Sequence, residues 1–268
     1  MDHMIEDWFA KVGPHAIAVS GGVDSMTLAA CAHRGNPASV MFHAVSPAVP
    51  KDATERVERY GRRFNWNLQL VDAREFHDPQ YVENPINRCF YCKKNLYGVI
   101  RQATELPMAS GTNCDDLQDF RPGLDAASKH GVRHPFVEFG YHKRDVRALA
   151  HQLGLDELGD LPASPCLASR VETGIAIDAK LLPLVDEVEG FVKQLLNTKV
   201  VRCRILKSRI VIQVESAVKD RLDSPQFQTI ERFVRKTLRQ DFQKQSFTIE
   251  PYVMGSAFIK GSDYETRH

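Results

Sequence analysis

The chain has 268 residues, 43% of them apolar and 26% charged, the make-up of a soluble globular protein. Lys+Arg 35 against Asp+Glu 34 leaves a formal charge of +1, so no whole-molecule field draws it toward nucleic acid or a membrane surface. No apolar run nears the roughly 18 residues of a membrane span. Acids at Asp2, Glu6 and Asp7 stand where a secretion signal would be basic and then apolar, so a cytoplasmic protein is expected. In that setting six cysteines argue for metal or redox chemistry over a disulfide scaffold.

Residues 4–12 suit a short amphipathic helix. Ala16-Ile17-Ala18-Val19 reads as a buried strand and Met26 to Ala30 as the opening of a helix. Between them stands Ser20-Gly21-Gly22-Val23-Asp24-Ser25. The Gly pair lets backbone approach an anion that a Cβ would hold off. Helix-start N–H groups, with the Ser20 and Ser25 hydroxyls, then favour a phosphate or pyrophosphate. An ordinary Gly-rich strand-to-helix turn is the plain alternative. The stretch lacks the Lys of a Walker A loop, which separates it from phosphoryl-transfer P-loops.

Val40 to Val45 has the length of a parallel strand and is closed by Pro47 and Pro50. Asp52 to Phe64 reads as a charged surface helix and Leu68 to Val71 as a third strand. This alternation indicates a doubly wound, mainly parallel α/β sheet, which binds ligands at strand carboxyl ends, where Ser20 to Ser25 lie. Cys89-Phe90-Tyr91-Cys92 follows. A C-x-x-C pair fits a redox couple, half a zinc site, part of an iron–sulfur site, or two buried thiols. No second C-x-x-C completes a zinc set.

Pro107 to Thr112 reads as a short strand ending in a small-residue turn. The stretch Asn113 to Gly123, with Asp115, Asp116 and Asp119, either holds Mg²⁺ or ribose hydroxyls or is a solvated loop with Asp at turn and cap positions. Arg133 to Glu138 is expected as another strand. His142 to Leu153 has Val146, Leu149, Ala150 and Leu153 at helical spacing before Gly154. Lys143 opens that helix, where a cation does not help the dipole; this suits a phosphate contact, although an exposed lysine is the commoner case.

Leu161 to Arg170 is a Pro-interrupted connector around Cys166, and a boundary near Gly174 to Asp178 divides the chain into domains 1–175 and 176–268. Leu181 to Leu196 reads as an amphipathic helix, Val200 to Leu206 and Arg209 to Glu215 as a hairpin around Lys207-Ser208. Phe227 to Leu238 is expected as a helix and Phe247 to Val253 as a closing strand, giving a smaller α+β C-terminal domain. Gly261 to His268 is expected to fray. Arg202 and Arg204 alternate along one strand and share a face. Two guanidiniums there make a clamp for phosphate or carboxylate, unless they are simply the solvent side of an amphipathic strand.

Ser20 to Ser25, Arg121-Pro122-Gly123-Leu124, Lys143 with Val146-Arg147, and Cys166-Leu167-Ala168-Ser169-Arg170 together resemble the LarE family of ATP-dependent sulfur transferases. That family is a branch of the PP-loop ATP pyrophosphatase superfamily, and the resemblance runs from Ser20 to about Arg204. It implies an adenine nucleotide alpha hydrolase-like fold and cleavage of ATP between its α and β phosphates. AMP would go to a carboxylate of a pyridinium biscarboxylate mononucleotide and be replaced by sulfur, in synthesis of the nickel-pincer nucleotide cofactor. By resemblance, Val19, Ser20, Gly21, Gly22, Asp24, Ser25, Gly111, Arg121 and Lys143 bind ATP and its pyrophosphate, with Asp24 on Mg²⁺. Arg170, Arg202 and Arg204 bind the acceptor, and Cys166, Asp24 and Glu189 are catalytic.

Some members of the family carry one Cys near the last motif and surrender its sulfur; others carry three that hold a [4Fe–4S] cluster. Cys89, Cys92 and Cys166 resemble the second type. Three thiolates leave one iron without a protein ligand, able to hold an extra sulfide. Cys31, Cys114 and Cys203 have no motif around them and are expected to be structural. The partners implied are a small-molecule acceptor, sulfide or a sulfur-donor system, and further copies of the chain, with 176–268 serving acceptor binding and oligomerisation. Neither membrane nor nucleic acid is expected.

Glu172-Thr173-Gly174 and Val211 depart from the family pattern on the acceptor side, so AMP transfer is better supported than the acceptor's identity. The alternatives are a tRNA thiolation enzyme of the same superfamily and a non-catalytic ATP- or iron–sulfur-binding regulator. The first would demand a basic surface or zinc-ribbon modules; Asp24 and the three cysteines speak against the second.

Overall fold

The computed structural model describes residues 3–118, 122–238 and 245–253; Arg121 and the stretch Gly261 to His268 lie outside them. The chain forms two compact units. The first takes the described residues up to Tyr81 together with Asn87–Ser164, the second Val82–Ile86 and the described residues from Pro165 on.

In chain order the first unit contains α1 (Met4–Val12), β1 (Ala16–Ala18), α2 (Val23–Gly35), β2 (Val40–Ala44), α3 (Lys51–Phe64) and β3 (Asn67–Val71). A short α4 (Pro79–Val82) follows, then α5 (Arg88–Ala103), β4 (Met108–Ser110), α6 (Pro122–Lys129), α7 (Pro135–Glu138), α8 (Lys143–Gln152) and α9 (Asp156–Gly159). The strands lie in the order β3-β2-β1-β4, each pair parallel.

Successive strand residues face opposite ways, and here both faces are covered. Ala16, Ala18, Val40 and Phe42 pack with Leu96, Tyr97 and Ile100 of α5. Ile17 and Met41 pack instead with Phe9 of α1, Met26 of α2, Val57 of α3 and Val146 of α8. That is why β1 and β2 are apolar at consecutive positions rather than alternating. The sheet is doubly wound and parallel, so β1 delivers Ser20 to Ser25 to a strand carboxyl end, where such sheets bind ligands.

The strand expected over Arg133 to Glu138 is corrected. Arg133 alone makes a bridge, to Ala109, and the chain then coils into α7 with Pro135 at its start. Proline's fixed φ and missing N–H suit the first helical position and bar it from an inner strand.

The second unit holds a 3₁₀ turn (Leu167–Arg170), α10 (Leu181–Leu196), β5 (Val201–Ile205), β6 (Arg209–Val214), α11 (Ser216–Lys219), α12 (Ser224–Thr237) and β7 (Ser246–Pro251). β5 and β6 form the expected antiparallel hairpin, whereas β7 joins β6 in parallel, an arrangement that requires a crossover. α11 and α12 supply it. The start of α12 is fixed by a capping box: Asp223 accepts from the Gln226 amide at 2.7 Å and Gln226 returns a side-chain oxygen to the Asp223 amide at 3.2 Å. Stacking of Phe191 on Phe233, ring centres 3.9 Å apart, joins α10 to α12.

Asn84 ties the returning segment Val82–Ile86 into this unit. It is fully buried with a left-handed φ of 56°. Its side-chain amide donates to the carbonyls of Glu172 and Ile175, both at 2.9 Å, while the Asn84 backbone carbonyl accepts from the Gly174 amide at 2.9 Å. Among the described residues no helix is long and apolar enough to cross a membrane.

Candidate functional site

The turn from β1 into α2 is held by its own serines. The Ser20 amide donates to Ser25 Oγ at 3.0 Å, the two hydroxyls lie 3.1 Å apart, and Ser25 Oγ donates to the Gly22 carbonyl at 3.2 Å. Gly22 caps α2 and brings no capping side chain, so the helix-start N–H groups are not consumed by a neighbour's oxygen. Gly21 has φ +82°, and a Cβ on it would meet the Ala53 carbonyl at 2.8 Å. Glycine is required there on both counts.

Gly111 follows β4 and lies directly on the loop: a Cβ there would come within 2.6 Å of the Asp24 backbone carbon. This close approach brings the residues after β4 to Asp24. Asn113 Nδ2 donates to Asp24 Oδ1 at 3.2 Å, and Lys143 Nζ lies 2.5 Å from Asp24 Oδ2. Lys143 is placed by Asp115, whose carboxylate accepts the Lys143 amide at 2.8 Å and the His142 Nδ1–H at 2.6 Å. Those two bonds, the His142 one foremost, hold the Asp115 carboxyl below the usual carboxylate range.

The first unit thus brings together Ser20, Gly21, Gly22, Asp24, Ser25, Gly111 and Lys143, with Val19 entering the loop through its amide bond to Phe42 O at 2.8 Å. Asn113 and Asp115, left open between ligand site and solvated loop by sequence, organise the loop on Asp24 and Lys143. The sequence alone singles out neither His142, which binds Asp115, nor Arg56, whose Nη1 donates to the Gly21 carbonyl at 2.9 Å. His142 carries a weak signal as the residue before a helix-opening lysine; Arg56 is one of many arginines on a charged helix and carries none.

Behind the loop, His43 of β2 is 1% exposed. Its Nδ1 donates to the Val19 carbonyl at 2.8 Å and its Nε2 faces Thr54 Oγ1 at 2.9 Å. His134 pairs with Ser110 Oγ at 3.0 Å. Burial lowers the pKa of His15, His43 and His134 alike from the ordinary 6.5. Below pH 6.5 the unfolded chain therefore binds protons that the folded chain refuses. Their contribution to stability is whole above 6.5 and is lost as pH falls from there through the lowered folded values. Thermal melting should accordingly drop between pH 7 and 5.5, and His43→Asn, which keeps the δ donor, should flatten the drop. A melting point that holds level or rises on acidification would refute this.

Cys89 and Cys92 stand in the first two turns of α5, three positions apart and so on one helix face; both are half-buried. Cys166, also half-buried, precedes the 3₁₀ turn of the second unit. Among the described residues no group of three or more His, Cys, Asp or Glu side chains is placed to hold a metal ion. Cys31 and Cys203 are buried and their thiols are pushed up beyond the ordinary range by burial, which leaves them inert. Cys114 is half-buried.

In the second unit Arg170, Glu189, Arg202 and Arg204 are all buried. Glu189 receives Arg170 Nε at 2.8 Å and Nη2 at 3.0 Å, and its Oε1 also accepts the Cys203 amide at 2.8 Å. Arg170 Nη1 donates to the Pro165 carbonyl at 2.9 Å and to Ser169 Oγ at 3.0 Å. Arg204 donates to Gln213 Oε1 at 3.0 Å and to the Ser169 carbonyl at 2.6 Å. Arg202 donates to the Val201 carbonyl at 2.8 Å, its guanidinium 5.4 Å from the Tyr252 ring centre.

The reading of Arg202 and Arg204 as the solvent side of a strand is overturned: all five β5 residues are buried. Burial, then Arg170, lowers Arg202 and brings Arg204 to about 10, while Glu189 outweighs burial and raises Arg170. The three guanidiniums of Arg170, Arg202 and Arg204 thus share one buried region with the Glu189 carboxylate.

No family model matches the chain. It is 35% identical over 198 residues to the uncharacterized protein slr1717 of Synechocystis, covering 71% of this chain and 73% of that one. It is 25% identical over 240 residues to the uncharacterized protein MJ0830 of Methanocaldococcus jannaschii, covering 88% of this chain and 89% of that one. It is also 27% identical over 187 residues, 67% of each chain, to the pyridinium-3,5-bisthiocarboxylic acid mononucleotide synthase of Lactiplantibacillus plantarum.

Proposed function

Because the chain belongs to the family of the Synechocystis protein slr1717 and is distantly similar to a bisthiocarboxylic acid mononucleotide synthase, we propose that it is an ATP-dependent sulfur transferase of the PP-loop superfamily acting on a small carboxylated nucleotide. One observation carries the reading: a pyrophosphate-type loop at a parallel strand's carboxyl end, with Asp24 and Lys143 in contact across it.

The loop N–H groups take the β and γ phosphates of ATP, and Lys143 turns from Asp24 to a phosphate oxygen. Asp24 would hold the Mg²⁺ that accompanies ATP, which would neutralise charge on the phosphates. An acceptor carboxylate oxygen attacks the α phosphorus and the bond to the β phosphate breaks. Pyrophosphate leaves with that electron pair, and an acyl-adenylate remains. A sulfur nucleophile then adds to the acyl carbon and AMP departs, leaving a thiocarboxylate. Arg202 and Arg204, with Arg170 behind them, hold the acceptor's phosphate or carboxylate; Glu189 orients Arg170.

Cys89, Cys92 and Cys166 are the residues that would hold a [4Fe–4S] cluster. Their donor chemistry fits, as three half-buried thiols. Such a cluster would supply a sulfide as the nucleophile; without it, Cys166 attacks to form a thioester, and loss of its Cα proton breaks the Cβ–S bond, releasing the thiocarboxylate and leaving dehydroalanine. The remaining proposals are a cytoplasmic setting, assembly of identical chains, and sulfide or a sulfur-donor system as partner.

Protein purified without air, given ATP, sulfide and pyridinium-3,5-biscarboxylic acid mononucleotide, should release AMP and pyrophosphate and yield an acceptor with sulfur in place of oxygen. Reconstitution should load about four irons per chain. Release of ADP and phosphate, or an acceptor that gains no sulfur, would refute the reading; transfer without iron would leave the cysteine route.

A further inference from the structure

Arg56 lies in α3 with its side chain only 12% exposed. Its Nη1 donates to the Gly21 carbonyl at 2.9 Å. Ala53, one turn earlier on α3, is the residue on which Gly21 rests, so one helix face supports the loop and grips it. In a trans peptide the C=O and N–H point opposite ways. Fixing the Gly21 oxygen toward α3 therefore turns the Gly22 N–H away from α3. The next carbonyl, that of Gly22, is drawn into α2 by the Met26 amide at 3.1 Å and by Ser25 Oγ.

The guanidinium also brings charge. Its nearest carboxylate partner, Glu157 of α9, lies 4.0 Å from Nε and is held more closely by Arg59, at 2.6 Å. Burial, only partly offset by Glu157 and Asp52, keeps the Arg56 pKa below the usual arginine value. An anion in front of the loop would meet that cation through the Gly21–Gly22 peptide, whose dipole points the same way.

We infer that Arg56 is a positioning residue for the pyrophosphate half of ATP, aiming the Gly22 N–H at it and lending it charge from behind. This rests on Ser20 to Ser25 being the pyrophosphate site. Arg56 acts through the loop, so its effect belongs to the phosphates and not to the AMP half.

The test is calorimetric titration of the full chain with inorganic pyrophosphate, ATP and AMP. Arg56→Gln should weaken pyrophosphate and ATP by about tenfold or more, the factor for a lost charged hydrogen bond, and leave AMP within about twofold. Arg56→Lys, which keeps the charge and is the safer variant for folding, should lose less pyrophosphate affinity and no AMP affinity. Unchanged pyrophosphate binding in both variants, or AMP binding falling in step with pyrophosphate, would overturn the inference. A parent protein that binds neither ATP nor pyrophosphate would overturn the ATP reading itself.

Discussion

Asp24→Asn is expected to cut pyrophosphate release by about 10²–10³-fold, the loss typical when a group that stabilises transition-state charge is removed. Asn keeps the shape of Asp24 but has one oxygen where Asp24 has two, so it can accept from Lys143 or from Asn113, which lie 2.5 and 3.2 Å from the carboxylate, and not from both. It cannot present a carboxylate to Mg²⁺. The Asp24 and Lys143 side chains are 24% and 37% exposed, so the pair itself is worth little to stability, of order 1 kcal/mol or less. Chemistry should therefore fail while the melting point barely moves. A coupled pyrophosphate assay beside a thermal scan checks both halves, and parent-rate release would remove Asp24 from the mechanism.

The second large effect is on stability. Glu189→Gln should destabilise the second unit by about 3–5 kcal/mol, because Arg170 is left buried without its carboxylate. Against a total of about 5–15 kcal/mol for a typical domain, that is a large share. The bidentate contact and the Cys203 amide both rest on this one side chain, which also favours the charged forms of Arg202 and Arg204. Replacing both members of a buried pair by apolar residues is often neutral. Here Glu189→Leu with Arg170→Met should recover only part of the loss, since Arg202 and Arg204 keep their charge. Urea unfolding measures it; a change under about 1 kcal/mol for Glu189→Gln would show that the interior is wetter than its burial implies.

Much of this architecture is legible in the residues. The apolar runs at Ala16 and Val40 carry consecutive buried positions because both sheet faces are covered, and a run without alternation is what a parallel strand shows. Leu181 to Leu196 was read to the residue, since its apolar positions repeat at helical spacing. Local patterning fails where the deciding contact is distant. α5 went unread beneath the C-x-x-C pair, whose aromatic and basic neighbours carry no clean period. The residues Arg133 to Glu138 have the apolar content of a strand, and only Pro135, as a first helical residue, speaks for the helix that forms. Alternation in β5 says that Arg202 and Arg204 share a face, but not that the face is covered; that depends on Glu189, Gln213 and Ser169 from elsewhere in the chain. Nothing near Ser246 announces that β7 will pair in parallel.

The returning segment Val82–Ile86 governs how the chain can fold. Asn84 finds its carbonyl partners 88 and 91 positions later, so the second unit cannot complete its hydrogen bonding until nearly everything between has been synthesised. Contacts of such long sequence separation come late and slow folding, because loop closure must be achieved before they return any stabilisation. On an emerging chain the Asn84 amide stays hydrated until those carbonyls arrive. A fragment starting at Pro165 would carry the sheet of the second unit without the strap that ties Glu172, Gly174 and Ile175 together.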